Sequence, residues 1–130
     1  MLWAAIIYNQ MVVEQLSDTE VDRIFQALAD ATRRDIVARV SAREQSVSDL
    51  ARAYTMSFAA VQKHVAVLER AMLVTKVRRG REQIVHPDPA MLRKAAALLD
   101  AYEEIWRARA ERIDQILAED PSTTPPGKER

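Results

Sequence analysis

Residues 46–86 read SVSDLARAYTMSFAAVQKHVAVLERAMLVTKVRRGREQIVH, a short helix, a tight turn, a second helix with a polar face, then a hairpin tipped with arginines. Ser46 precedes Val47, Leu50 and Ala51 and has Asp49 three residues on, which resembles a capping box opening an amphipathic helix. Tyr54-Thr55-Met56 interrupts that helix. Ser57 is placed to cap the next one, and Met56 before the cap can staple against Val61 at the fourth helical position. In the second helix Phe58, Val61, Val65 and Leu68 share a stripe expected to pack, while Ala59, Gln62, Lys63 and Arg70 lie largely elsewhere. The β-prone runs 73–78 and 82–86 flank Arg79-Gly80-Arg81, a hairpin in which glycine supplies the turn and Arg78, Arg79 and Arg81 crowd the tip.

A helix with one packed and one polar face fits the major groove of B-form DNA. There glutamine pairs bidentately with adenine, and lysine or histidine donates to guanine O6 or N7. Gln62, Lys63 and His64 are the leading base-reading candidates. The arginine tip suits phosphates or a narrow minor groove beside that helix. Taken singly, the polar helix face and the charged hairpin are each ordinary solvated surface; their order along the chain is what points to DNA.

LADATRRDIV (residues 28–37), followed by the helix-turn-helix and the ERAMLV junction (residues 69–74), resembles the ArsR/SmtB family of winged helix-turn-helix bacterial repressors over roughly residues 20 to 118. The resemblance implies a homodimer that binds operator DNA and is usually released by a small effector. It places Ser57, Ala60, Gln62, Lys63 and His64 on the DNA-facing side of the recognition helix and Arg78 to Arg81 on the wing. Met72 stands where the family commonly has glycine, a departure at the helix exit.

Charge is distributed in the same sense. The 130 residues have a formal net charge of zero, which by itself argues against a nucleic-acid partner. Yet residues 1–31 carry −4, residues 32–86 carry +6 (eleven basic, five acidic) and residues 87–130 carry −2. Basic charge is concentrated in the segment expected to touch DNA, so binding should be steeply salt-dependent. With 48% apolar residues the chain is long enough for one core rather than two. The absence of cysteine removes disulfide and thiolate chemistry.

The flanking segments read as helical. Leu16, Ser17, Glu20 and Val21 make a staple and a capping box for a helix running to about Ala29, with Val21, Ile24, Phe25 and Leu28 at helical spacing. Asp30 or Thr32 caps the next helix, in which Ile36, Val37 and Val40 face the core. Arg33 and Arg34 lie near that helix start, where both a phosphate contact and ion pairing with Asp30 or Asp49 are open; Arg33 is kept as a DNA-contact candidate. Asp88 and Pro89 open a long helix whose apolar positions, from Met91 through Tyr102 and Trp106 to Leu117, extend over about 28 residues or roughly 40 Å. That exceeds what a small winged domain covers, so part of the stripe is expected to meet a second copy.

The expected organisation is therefore a mainly α domain with a small β-hairpin wing, residues 16–118, dimerised through its terminal helices. Residues 1–15 form an N-terminal extension that is either a helix at the dimer interface or, if Met11 is the true start, partly outside the native chain. The polar, proline-rich residues 119–130 are expected to be disordered. MLWAAIIY lacks a basic leading region and is too short to span a bilayer, so no export signal is read and a cytoplasmic location is expected, with no membrane partner.

No metal or cofactor is expected. The positions near the first helix of the reading motif hold Val47, Ser48 and Asp49 instead of thiolates, and the acidic residues of the last helix come without histidine. An apolar effector between the terminal helices, walled by Tyr102 and Trp106, and control without any ligand both remain open. Catalysis is not expected, because two histidines on different elements and two glycines provide neither a triad nor a phosphate-cradling loop. The reading is a homodimeric, sequence-specific repressor acting on a pseudo-palindromic operator. The competitors are a winged helix that binds an acidic protein and a metal-responsive repressor with an unusual site.

Overall fold

The computed structural model describes residues 16–119. Its elements are α1 (Asp18–Leu28), α2 (Ala31–Ala42), β1 (Gln45–Ser46), α3 (Val47–Arg52), α4 (Phe58–Arg70), β2 (Val74–Arg79), β3 (Glu82–Pro87) and α5 (Pro89–Glu119). The reading made for residues 1–15 lies outside the described residues, as does that for the tail 119–130 except for Glu119, which is the last residue of α5.

Side chains written into the sequence set where the helices begin. Ser17 Oγ accepts from the Glu20 backbone N–H at 3.1 Å, and the Glu20 carboxylate accepts in return from the Ser17 N–H at 3.3 Å. Ser46 and Asp49 form the same reciprocal pair at the head of α3, both bonds 3.0 Å. Asp30 Oδ1 accepts from the Arg33 N–H at 3.0 Å, Ser57 Oγ from the Ala60 N–H at 3.1 Å, and Asp88 Oδ1 from the Ala90 N–H at 3.1 Å. Each cap satisfies a donor the helix cannot satisfy itself and contributes about 1 kcal/mol.

The caps orient the apolar faces onto one core. Ile24 and Ala27 of α1, Ile36 and Val40 of α2, Leu50 of α3, and Val61, Val65 and Leu68 of α4 are all buried, and Leu73, Val74 and Val85 close the layer from the sheet side. Phe58 departs from expectation. It lies on the same helical stripe as Val65 but is 46% exposed.

The hairpin carries a third strand that the sequence did not disclose. β1 pairs antiparallel with the free edge of β3, Gln45 opposite Val85 and Ser46 opposite Ile84, giving the order β1-β3-β2. A two-residue strand is too short to leave a periodic signal. At the other end Arg79 pairs with Glu82, so the loop is Gly80-Arg81. Gly80 has φ +64° and Arg81 is not in the positive region, which is the type II′ arrangement that matches strand twist.

At the α4 exit, Met72 adopts φ +62°. Its N–H donates to Glu69 O at 2.9 Å and the Leu73 N–H donates to Leu68 O at 3.0 Å, the paired bonds of a Schellman motif. The left-handed exit is thus kept without glycine, and fully buried Leu73 anchors it.

α5 is 31 residues long, roughly 46 Å. Met91 and Ala95 join the core, whereas Leu99, Tyr102, Ile105, Trp106, Ile113, Ile116 and Leu117 are 45–64% exposed.

Candidate nucleic-acid interface

α3, the turn at residues 53–57 and α4 form the helix-turn-helix, and burial of Val61, Val65 and Leu68 fixes which side of α4 faces outward. Gln62 and Lys63 are exposed there, and neither side chain has a hydrogen-bond or ion-pair partner among the described residues. Ser57 is exposed at the head of the helix, its oxygen accepting from Ala60 while its hydroxyl proton stays available. Ala60 is half-buried, with its N–H already satisfied by that cap.

The wing stands beside this face. Phe58 and Gln62 form one wall of an open groove of about 240 Å³ whose other wall is Arg78, Arg81, Glu82 and Gln83. Arg81, at the turn, has no polar partner among the described residues, and Arg78 Nε reaches only the Gly80 carbonyl, at 3.3 Å. Arg79 is engaged differently: its two terminal nitrogens donate to the Glu44 carboxylate at 2.9 and 2.8 Å. That fork holds the Glu44 carboxyl below its usual range and raises the Arg79 guanidinium further. Of the wing arginines, Arg81 is disengaged, Arg78 is bonded only within the turn, and Arg79 is tied to the segment before β1. Glu44 carried no sequence signal, since its partner is 35 residues away.

Two of the expected contact residues have neighbours within the chain. The His64 side chain is 23% exposed, with Nδ1 4.0 Å from Asp30 Oδ1 and 3.4 Å from an Arg33 nitrogen. One residue beyond Lys63, the helical rotation turns it toward the α1–α2 junction. Arg33 sits in that junction too. Its Nε donates to Ala27 O at 2.7 Å and a terminal nitrogen to Gln26 O at 3.0 Å, so the guanidinium closes the last turn of α1. The ion pair with Asp30 that the sequence left open is long, at 4.0 Å. Asp30 is held below the usual carboxylate range, foremost by the Arg33 backbone N–H. Arg34 adds a bond to Leu28 O at 2.8 Å.

The face formed by Ser57, Gln62, Lys63, Arg78 and Arg81 thus combines amide and cationic donors on a protruding helix and an adjacent hairpin, matching groove edges and phosphates. Among the described residues no group of three or more histidine and carboxylate side chains is arranged to hold a metal ion. Nor is any described helix long and apolar enough to cross a membrane.

Residues 28–77 match a helix-turn-helix domain family. The chain is 40% identical over 85 residues to the HTH-type transcriptional regulator Rv2034 of Mycobacterium tuberculosis, covering 65% of this chain and 77% of that protein. Its fold superposes on an ArsR-like transcriptional regulator from Rhodococcus sp. RHA1 with a TM-score of 0.67 at 35% identity, covering 75% of this chain and 92% of the other. A crystal structure of the ArsR family transcriptional regulator RHA00566 gives the same TM-score at 29% identity, covering 71% and 95%. The chain belongs to the ArsR family of winged helix-turn-helix, DNA-binding transcriptional regulators.

Proposed function

We propose that the protein is a homodimeric repressor that recognises a pseudo-palindromic operator by setting its two α4 helices into successive major grooves, with Ser57, Gln62 and Lys63 at the bases or adjoining backbone and Arg78 and Arg81 on phosphates. The observation that carries this reading is the exposed stripe Leu99, Tyr102, Trp106, Ile113 and Ile116 along α5. These positions are spaced by three, four, seven and three residues, which keeps them on the heptad seam of paired helices. An apolar stripe of that length on a charged helix is what a second copy covers, and a two-fold dimer reads a two-fold site. The proposal places the protein in the cytoplasm and gives it no catalytic role.

Light scattering on the purified protein, followed by selection from a pool of random duplexes and footprinting, tests it. A dimer protecting inverted half-sites about 34–36 Å apart is expected. A monomer, or binding that prefers no sequence over bulk DNA, would overturn it. Salt-dependent capture of an acidic protein in place of a duplex would favour the interaction-module reading.

A further inference from the structure

We infer that Phe58 reads the 5-methyl group of a thymine, making it a specificity-determining residue beside Gln62; the inference rests on the function proposed above. Phe58 occupies the first position of α4 and leaves 46% of its surface in water, although the core lies on the same stripe one turn further on. Water is a poor partner for a benzyl ring. Single exposed apolar residues are common on protein surfaces, so what marks this one is its place in the groove between the recognition helix and the wing. Its surroundings indicate which partner removes that surface from water. Gln62 stands one turn along on the same side, and Arg78, Arg81, Glu82 and Gln83 also line the groove. Two guanidinium groups against one carboxylate leave the groove polar and net cationic, which is unsuited to an apolar protein surface or a greasy ligand but suits a polyanion that presents a small apolar feature among polar edges.

The major groove of DNA has one such feature, the thymine methyl, and phenylalanine is among the side chains that contact it. Residues 58 and 62 are separated by about 6 Å along the helix, while base pairs are stacked about 3.4 Å apart. The thymine read by Phe58 therefore falls within about two base pairs of the position read by Gln62. The amide would recognise an adenine edge and the ring a methyl, so together they select an A·T-containing step.

The test replaces thymines by uracil, one position at a time, in the duplex selected by the wild-type protein. The change deletes only a methyl. Burying one methyl corresponds to about a fourfold change in affinity. Wild type should lose about that factor at one thymine per half-site, within two base pairs of the position that becomes degenerate in Gln62→Ala. Phe58→Ala should bind the thymine duplex more weakly and be indifferent to uracil there, while Phe58→Leu, still apolar, should keep part of the sensitivity. Circular dichroism establishes that the variants fold, which half-exposure of Phe58 favours. If no thymine methyl matters, or if it matters equally in Phe58→Ala, the inference is overturned while sequence-selective binding stands. If wild type selects no sequence at all, the proposed function falls first and this inference with it.

Discussion

Arg33 separates two roles that a sequence reading leaves superimposed. In the structure its guanidinium donates to Ala27 O at 2.7 Å and Gln26 O at 3.0 Å, both carbonyls of the last turn of α1, and its side chain is only 18% exposed. Replacing Arg33 by alanine strands the partly buried Ala27 carbonyl, whereas the Gln26 carbonyl regains water. A hydrogen bond from a charged donor is worth about 1.5–3 kcal/mol, and the solvent-open one less, so Arg33→Ala should cost about 2 kcal/mol. Urea unfolding at fixed protein concentration measures this as a lower midpoint at unchanged slope. Every phosphate contact contributes about 0.9 to the slope of log affinity against log salt, and a dimer doubles each contact. Arg81→Ala should therefore flatten that slope by about 1.8 with little loss of stability. Arg33→Ala should leave the slope unchanged. A flattened slope without loss of stability in Arg33→Ala would refute the assignment and return Arg33 to the DNA surface.

Three further outcomes follow from particular geometries. At position 72 the left-handed backbone costs an alanine about 1–2 kcal/mol, against about 0.5–1 kcal/mol for the extra entropy lost by glycine, so Met72→Gly should be more stable than Met72→Ala by roughly 0.5–1 kcal/mol in urea unfolding. Ala71→Gly, one residue earlier at φ −79°, should destabilise, with the opposite sign. Tyr54 donates its hydroxyl to Asp35 beside Arg39, and burial, aided by that bond, raises its pKa from 10.0 to about 12. Between those values the unfolded chain releases the proton first, so stability present below pH 10 should decline as pH rises toward 12, and Tyr54→Phe should lack that decline when unfolding free energy is followed against pH. Glu44→Gln removes the carboxylate that holds Arg79. An exposed pair of this kind contributes little to stability, which should barely change, while affinity for all duplexes rises as Arg79 is released; unchanged affinity would mean that Arg79 does not approach DNA.

The helix-turn-helix was legible because its signals are local. Ser46 with Asp49, Ser57 and Asp88 announce helix starts through bonds spanning two or three residues, and Gly80 announces the hairpin turn through its own φ. Phe58 was misread because periodicity gives the direction of a side chain but not whether anything stands opposite it. The neighbours of His64 and Arg33 were not legible because they lie on other elements: one residue of helical rotation and a packed α1–α2 junction bring the two side chains together. β1 and the Glu44–Arg79 fork join residues far apart in the chain, and no local pattern registers such pairing.

The linear chain by itself determined the helices, the hairpin, the clustering of basic charge around residues 32–86 and hence the class of molecule, because caps, turns and hydrophobic period act over a few neighbouring residues. Only the tertiary structure decided which polar side chains remain available to DNA. Availability depends on partners brought in by packing: it leaves Gln62, Lys63 and Arg81 disengaged, ties Arg33 to the end of α1 and Arg79 to Glu44, and exposes the ring of Phe58.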